Sequence, residues 1–389
     1  LDYIIKKELQ QFELHIPTID NNFIRCSLKK FSVTSSDHNL IVQKRNFQKK
    51  EQFQSNIHSY LINYLGESIG VMIYFDNKII ISYKYKGRQL EINKVNNHYF
   101  IFDVNDTKLK NSFTCQVEEK RSEIVRGNNL NESLSSTPKC LELAIEIDQF
   151  TRNTFSSNTS ALNWAHAIIA GANQLYASEV NLNITVVSTI IWETVDPYSN
   201  YVNNASSMLS ALRNHWINNN SSITRDLVHL MTKRTNTGTG GIAYRDVLCD
   251  NSWGYAFSAN LNNNTNFNFP NPSYTWNLMV VNHEIGHNIE SHHTHWCGWP
   301  GGPIDNCVAV EGSCANNPSP QLGTIMSYCH TTSSGSIIDF HQVVVNNALN
   351  PGILGASCLT LCPFYGCTDS NATNYDPTAT VDDGSCTYA

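Results

Sequence analysis

Two histidines and a glutamate at helical spacing form the most chemically specific pattern in the chain, within VVNHEIGHNIESHHTHW at residues 280–296. On an α-helix, His283 and His287 project from one face a turn apart, which suits two ligands of a single tetrahedral metal ion. Glu284 follows the first histidine, so its carboxylate points beside the ion. There it can take a proton from an attacking water and later deliver it to a leaving amine. The pattern predicts a metal site that performs hydrolysis.

A third ligand must come from beyond this helix, because a continuing helix would carry later residues away from the ion. His293, six residues after His287, is the preferred candidate, and His292 and His295 are the alternatives. Three neutral histidines leave one position of a tetrahedral zinc ion open, which is typical of catalytic rather than structural sites. We therefore predict a catalytic Zn²⁺.

The elements around this motif alternate between strands and helices. Residues 140–149, 183–193 and 225–232 read as strands, and residues 158–179, 205–219 and 273–290 read as helices. Two short strands surround the Gly-rich turn, at 240–244 and 254–260. This order predicts an α/β sandwich with a mostly parallel sheet, whose last helix carries the metal ligands.

The zinc motif together with GTIMSYCH at residues 323–330 resembles the metzincin peptidases. The stretches GTGGIAYRDVLC and WGYAFSANL are similar to reprolysin/adamalysin-like secreted peptidases of Bacteroidetes-type bacteria, over about residues 140–360. The resemblance implies a zinc endopeptidase with a mixed, mostly parallel five-stranded sheet and long helices. It also implies that Met326 forms the Met-turn beneath the zinc, and that Gly254–Asn260 is the antiparallel edge strand that binds extended protein or peptide substrates. Tyr328 either acts at the catalytic centre or packs as a core tyrosine.

Glu290 departs from the resemblance, because the family usually has glycine at this position. Glycine tolerates a positive φ there, and a glutamate in that conformation would cost on the order of 1 kcal/mol. Either the glutamate adopts this strained turn, or the loop turns differently and still delivers His293. Glu290 as a ligand in place of His293 is the least favoured option. A strained loop leaves open a catalytically impaired pseudo-peptidase that only binds partners. A zinc amidase acting on a non-peptide substrate is a further alternative.

Cysteines and charge divide the chain near residue 140. Ten of the 12 cysteines lie between Cys140 and Cys386, which predicts a disulfide framework and export from the cell. Residues 1–139 carry 20 Lys+Arg against 15 Asp+Glu, and residues 140–389 carry 6 against 18. The acidic part contains the motif and would repel phosphate, so nucleic-acid binding is not expected. The sequence contains no run of 18 apolar residues, so no membrane span is predicted.

The chain divides into four predicted parts: a β-rich propeptide domain (1–114), a linker with a processing site (115–139), the catalytic domain (140–360) and a short disulfide-stapled repeat (361–389). Lys120, Arg121 and Arg126 are the expected processing targets. The propeptide would act as the protein's own inhibitor, with Cys115 as a thiolate that blocks the zinc. The alternatives are that Asp103 or Asp106 serves instead, or that Cys115 pairs with Cys26 in a disulfide.

Two acidic regions lie away from the motif. Asp305 and Glu311, in a Cys-rich loop, are predicted to be solvated. The acids of the C-terminal repeat could bind Ca²⁺ through carboxylate oxygens, although solvated acids on a disulfide loop are the preferred interpretation; they are Asp369, Asp376, Asp382 and Asp383.

Overall fold

The computed structural model describes residues 9–53, 55–76, 78–95, 98–106, 115–119, 138–262, 274–315, 318, 322–362, 365–377, 379–382 and 384–388. The processing targets at 120, 121 and 126 lie outside these residues. No helix in the described part of the chain is long and apolar enough to cross a membrane.

In the described residues before position 120, the chain forms ten strands. They are β1 (Gln11–Pro17), β2 (Phe23–Phe31), β3 (Thr34–Gln43), β4 (Gln48–Gln52), β5 (His58–Tyr64), β6 (Glu67–Phe75), β7 (Lys78–Tyr85), β8 (Arg88–Val95), β9 (His98–Asp103) and β10 (Cys115–Glu119). Seven of them form an antiparallel sheet in the order β1-β2-β5-β6-β7-β8-β9. Alternating buried and exposed side chains along β2 and its neighbours place one face of this sheet on a core, as the alternation in the sequence predicts.

The described residues after position 137 add eight strands and six α-helices. The strands are β11 (Lys139–Ile147), β12 (Leu182–Trp192), β13 (Leu227–Met231), β14 (Gly241–Arg245), β15 (Tyr255–Ser258), β16 (Thr360–Leu361), β17 (Tyr365–Gly366) and β18 (Val381–Asp382). The helices are α1 (Gln149–Arg152), α2 (Asn158–Val180), α3 (Ala205–Asn219), α4 (Tyr274–Ile289), α5 (Gln342–Val344) and α6 (Asn350–Gly355), with a π-helical turn (Val345–Leu349) between the last two and a 3₁₀ turn at Cys329–Thr331. Another 3₁₀ turn, Val104–Asp106, follows β9 in the first part of the chain.

A second sheet of nine strands positions the motif helix. Its order is β10-β14-β15-β13-β11-β12-β3-β4, and β16 also pairs with β11. Five of these strands, β11 to β15, come from the predicted catalytic region, and only the β14–β15 pair among them is antiparallel. The expected five-stranded sheet is therefore the centre of a larger sheet, because β3 and β4 of the N-terminal segment extend it at one end and β10 of the predicted linker extends it at the other.

The prediction for the edge strand is wrong. The expected substrate-binding strand Gly254–Asn260 contains β15, which lies inside the sheet between β13 and β14. The strand at that end of the catalytic region is β14, and β10 pairs with it in parallel, with Cys115 opposite Gly241 and Glu119 opposite Arg245. Cys115–Glu119, expected to open the linker, is therefore a strand of the sheet.

The N-terminal segment and the catalytic region share one hydrophobic core. β3 pairs in parallel with β12, and the side chains of Val42 and Ile73 join the same buried cluster as Ile145 and Ile168. Lys84 supports this contact with ion pairs to Glu179 at 3.0 Å and Asp339 at 2.8 Å. The two parts therefore pack as one body.

Helix α4 packs against α2, β14 and β15. Its first turn is held by Glu91 of β8, whose carboxylate accepts hydrogen bonds from the backbone N–H of Thr275 at 3.1 Å and from its hydroxyl at 2.6 Å. A carboxylate at a helix N-terminus satisfies unpaired N–H groups and complements the helix dipole. The N-terminal sheet thus anchors the helix that carries the motif.

The ten later cysteines form five disulfides, which confirms the predicted framework. The pairs are Cys140–Cys362, Cys249–Cys358, Cys297–Cys314, Cys307–Cys329 and Cys367–Cys386. Cys26 and Cys115 are free thiols, so the alternative of a disulfide between them is wrong. Cys26 is buried in the core of the N-terminal sheet, whereas Cys115 lies in the second sheet.

Candidate metal centre

The three predicted histidine ligands converge on one point. The Nε2 atom of His287 lies 3.1 Å from Nε2 of His283 and 3.2 Å from Nε2 of His293. All three side chains are buried. His283 and His287 come from successive turns of α4, as their spacing predicts, and His293 comes from the loop that follows.

Hydrogen bonds on the opposite ring nitrogens fix which way each imidazole faces. Nδ1 of His283 donates to the carbonyl of Ile325 at 2.7 Å, and Nδ1 of His287 donates to the carbonyl of Ser291 at 2.7 Å. A carbonyl oxygen can only accept, so Nδ1 carries the hydrogen and Nε2 of each neutral ring carries a lone pair. Burial and the neighbouring histidines lower the pKa of both imidazoles, which keeps them neutral.

This donor set fits a zinc ion. Nitrogen ligands about 2.0–2.1 Å from a tetrahedral zinc ion lie roughly 3.3 Å from one another, close to the separations seen here. Lone pairs aimed at one another without a hydrogen between them repel, and a cation at their centre removes the repulsion. Nδ1–H groups that donate to carbonyl or carboxylate oxygens are the usual support of metal-bound histidines.

Cys115 completes the cluster. One ligand atom each from Cys115, His283, His287 and His293 lies within 4.8 Å of the others. The thiol is brought there by β10, which runs along β14. Asp103 lies next to Arg88 at 3.6 Å, and neither Asp103 nor Asp106 belongs to a group of potential metal ligands among the described residues. Of the latency candidates, the cysteine is therefore the one that reaches the histidines.

The carboxylate of Glu284 lies beside this cluster. It is fully buried, and its Oε2 accepts a hydrogen bond from Sγ of Cys115 at 3.3 Å. Burial raises the pKa of the Glu284 carboxyl well above its ordinary value. Its approach depends on Gly241 of β14, because a Cβ at that position would lie only 2.6 Å from Cδ of Glu284. The glycine therefore makes room for the carboxylate.

Tyr328 lies at the same centre, and its side chain also belongs to the buried core. Its hydroxyl is 3.1 Å from Nε2 of His293. The hydroxyl also accepts from the backbone N–H of Cys115 at 2.7 Å, and lies 3.0 Å from the Cys115 carbonyl oxygen, to which it can donate. The phenol thus contacts both a predicted ligand and the backbone of β10. We call the position that β10 occupies along β14, beside the histidines, the cleft.

Met326 packs beneath the motif helix. It is fully buried, and a Cβ on Gly286 would lie 2.7 Å from its sulfur. Gly286, inside the HExxH motif, therefore permits close contact between α4 and the Met326 turn. The Met326 carbonyl accepts from the backbone N–H of Thr294 at 3.0 Å, which ties this turn to the loop that carries His293.

Glu290 does not adopt a left-handed conformation, so the strained turn is absent. Its backbone N–H and that of Ser291 both bond to the Gly286 carbonyl, at 3.2 and 2.9 Å, which ends the helix without a positive φ. The loop turns differently and still delivers His293, as the alternative expectation allowed. Neither Glu290 nor the rejected candidates His292 and His295 belongs to the four-residue cluster.

Glu311 has a role that the sequence did not predict. Its carboxylate accepts from Nδ1 of His293 at 2.6 Å and lies 3.2 Å from Nε2 of His295. Burial alone would raise the pKa of the Glu311 carboxyl, but the hydrogen bonds from the two histidines lower it below its ordinary value. The prediction of a solvated acid is wrong for Asp305, which is buried. Glu311 is partly exposed, but its carboxylate is paired with the histidines. Disulfides hold this loop in place. Its Cys-rich composition is the feature of the sequence that could have indicated a fixed position for Glu311.

The C-terminal acids do not support a calcium site. Asp369 accepts from Tyr388 at 2.6 Å, and Asp382 accepts from the backbone N–H of Gly384 at 3.1 Å. In the parts of this repeat that the structure describes, no acids form a group of potential metal ligands. Asp383 lies outside the described residues.

Comparisons with known proteins place the chain in a family. The model of metallo-peptidase family M12 (Reprolysin_5) matches residues 137–338, which is more than half of the chain. Among solved structures, the fold is similar to metalloproteinase-II from Bacteroides fragilis, with a TM-score of 0.44 and 13% sequence identity over 75% of this chain and 85% of that one. A search of curated proteins gave no significant match. The chain belongs to metallo-peptidase family M12.

Proposed function

We propose that the protein is a secreted zinc endopeptidase held as a latent zymogen, with His283, His287 and His293 as zinc ligands and Cys115 as the fourth. The observation that carries this proposal is the convergence of these four side chains within 4.8 Å. Membership of family M12 supports zinc, because metallopeptidases of this family use it. The five disulfides agree with an oxidising, extracellular compartment.

Glu284 is the proposed general base and acid. A bound zinc ion supplies Lewis-acid polarisation of the scissile carbonyl and lowers the pKa of the attacking water. Glu284 takes the proton of that water and passes it to the departing amine. Its buried position beside the histidines supports this role, since its carboxylate lies where Cys115 now contacts it. A peptide in place of β10 would leave that carboxylate facing the scissile bond.

Tyr328 is the proposed hydrogen-bond donor to the substrate. In this structure its hydroxyl lies 3.0 Å from the carbonyl oxygen of Cys115, to which it can donate. A substrate strand along β14 would bring its own carbonyl to the same hydroxyl. Charge that develops on that oxygen would strengthen the hydrogen bond, so the tyrosine would favour the transition state.

The N-terminal segment, residues 1–114, is proposed to be the propeptide, followed by a processing region, the catalytic domain (140–360) and the C-terminal repeat (361–389). Cys115 sits on a strand that fills the edge of β14, so extended substrates cannot pair there until it leaves. Cleavage at Lys120, Arg121 or Arg126 would free the start of the catalytic region. The shared core with the N-terminal segment means that this release also exposes apolar surface.

The pseudo-peptidase alternative depended on a strained turn at Glu290. That turn is formed without a positive φ, so its premise fails. The general base and all three histidines converge, which a binding module would not require.

Digestion of a denatured protein substrate tests the proposal. The full chain would be treated with limited trypsin, the trypsin would be inhibited, and casein cleavage and zinc content would be measured. Wild type is expected to carry about one zinc per chain and to become active after treatment. Glu284→Ala should keep the zinc and retain only a small residual activity, while the control Glu193→Ala should behave as wild type. Zinc-loaded wild type that never cleaves casein, or equal activity in Glu284→Ala, would contradict the proposal.

A further inference from the structure

Arg245 holds an acidic side chain of the strand that occupies the cleft. Its Nε and Nη2 atoms donate to the two carboxylate oxygens of Glu119, both at 2.8 Å. The arginine side chain is 18% exposed and that of Glu119 is 61% exposed. The guanidinium is therefore part of the cleft wall, and the carboxylate approaches it from the outside.

The guanidinium is held in place independently of Glu119. Its Nη1 donates to the carbonyl of Glu290 at 3.2 Å, just after the end of α4. A fixed guanidinium with two parallel N–H donors matches the geometry of a carboxylate and loses little entropy when it binds one. A free cleft would therefore present a ready carboxylate site.

The other cations of the catalytic region have partners within that region. Residues 140–389 contain only six Lys and Arg against 18 Asp and Glu. Five of the six bond to carbonyl, hydroxyl, amide or carboxylate groups of the same region: Arg152, Arg213, Arg225, Lys233 and Arg234. Arg245 also donates to the Glu290 carbonyl of this region, but its carboxylate partner lies outside the region, on β10. Arg245 is thus the cation directed at whatever occupies this edge of the sheet.

The pairing register gives the distance from the catalytic centre. Cys115 lies opposite Gly241 beside the histidines, and Glu119 lies opposite Arg245 four residues further along. At about 3.3 Å per residue, the arginine site is roughly 13 Å from the centre. The preceding acid, Glu118, contacts the hydroxyl of Ser206, a neutral donor that would accept an amide equally well. Selection for negative charge therefore depends on Arg245.

We infer that Arg245 is a specificity-determining residue that selects peptide substrates with an aspartate or glutamate about four residues from the scissile bond. This inference rests on the proposed peptidase function. A substrate antiparallel to β14 carries the acid on the amino-terminal side of the bond, and one that runs like β10 carries it on the other side.

The first test needs no peptidase activity. The rate at which a thiol reagent labels Cys115 would be measured by mass spectrometry in the full chain, in Glu119→Gln, in Arg245→Gln and in the double variant. Each single change should accelerate labelling of Cys115 roughly fivefold to tenfold, which is the range for a bidentate pair with one largely buried partner. The double variant should be labelled no faster than the single variants, because either change alone removes the pair. The control Arg152→Gln should label like wild type. Wild-type rates in both single variants, or additive effects, would overturn the inference.

The second test measures selection directly. The trypsin-activated enzyme would be given quenched peptides with Glu or Gln at each of five positions on either side of the cleaved bond. For one of the positions, wild type should have a KM roughly fivefold to tenfold lower for the Glu peptide than for the Gln peptide. Arg245→Gln should lose this difference. Arg245→Glu should favour Lys at the same position, and Arg152→Gln should keep the wild-type preference. No acidic preference in wild type, or one that persists in Arg245→Gln, would refute the role of Arg245. Failure of wild type to cleave any peptide would instead refute the peptidase function, while the labelling test still decides whether Arg245 binds the acid.

Discussion

Gly241→Ala should impair catalysis by displacing Glu284, the proposed general base. An alanine Cβ at this position would lie 2.6 Å from Cδ and 2.8 Å from Cγ of Glu284, well inside van der Waals contact. Both residues are buried, so the carboxylate has to move by several tenths of an ångström or more. Misplacement of a catalytic group by about 1 Å costs on the order of 100-fold in rate. We therefore expect kcat to fall by roughly this factor.

A double-mutant cycle separates this effect from general damage. kcat of the activated enzyme would be measured for wild type, Gly241→Ala, Glu284→Ala and the double variant, with zinc content in each. Because alanine at 284 removes the atoms that clash, Gly241→Ala should cost little further in that background. All four proteins should bind zinc, since the histidines are unchanged. A Gly241→Ala enzyme with wild-type kcat, or one that loses its zinc, would refute the reasoning.

Three further outcomes follow from other contacts. Glu311→Ala should weaken zinc binding roughly 10- to 100-fold in competition with a chelator, because Nδ1 of His293 loses its acceptor; equal affinity would show that the contact has no influence. Glu91→Gln should lower the free energy of unfolding of the full chain by about 1–2 kcal/mol in urea titrations, because α4 loses a charged cap; an unchanged midpoint would contradict the anchoring role. Stability should also fall with acidification, because burial lowers the pKa of His38 to about 4 and that of His166 to about 3, below the usual 6.5. The folded state therefore favours the neutral imidazoles, so their contribution to the free energy of unfolding is complete above about pH 6.5 and is lost as the pH falls towards 4. A His166→Asn variant whose stability depends on pH in the same way as that of wild type would exclude this cause.

The positions of the motif residues could be predicted from the sequence, but much of what surrounds them could not. His283 and His287 follow from helical spacing, because both lie on one regular element. The role of Glu311 could not be predicted, since a loop fixed by Cys297–Cys314 and Cys307–Cys329 brings it to His293, and disulfide pairing is not encoded in spacing. The contact between Arg245 and Glu119 could not be predicted from local sequence patterns either, because the two residues are 126 positions apart and meet only through strand pairing.

The sheet shows the same limit. The strands and helices of the catalytic region lie close to where their patterns predict them, including Asn158–Val180 and Ala205–Asn219. The order of strands in the sheet depends on long-range pairing. Hence β15 was mistaken for the edge strand, and the addition of β3 and β10 to the same sheet was not expected. Alternation of apolar residues reports which face of a strand is buried, but it does not identify the neighbouring strand.

X-ray absorption at the zinc edge of the full, unprocessed chain would identify the zinc ligands. We expect three nitrogen ligands at about 2.0–2.1 Å and one sulfur at about 2.3 Å. In Cys115→Ser, the sulfur signal should vanish while the three nitrogens remain. Zinc bound without sulfur in the wild-type chain would contradict the role of Cys115 in latency. A chain that binds no zinc, or one that still shows sulfur in Cys115→Ser, would contradict the proposed metal centre itself.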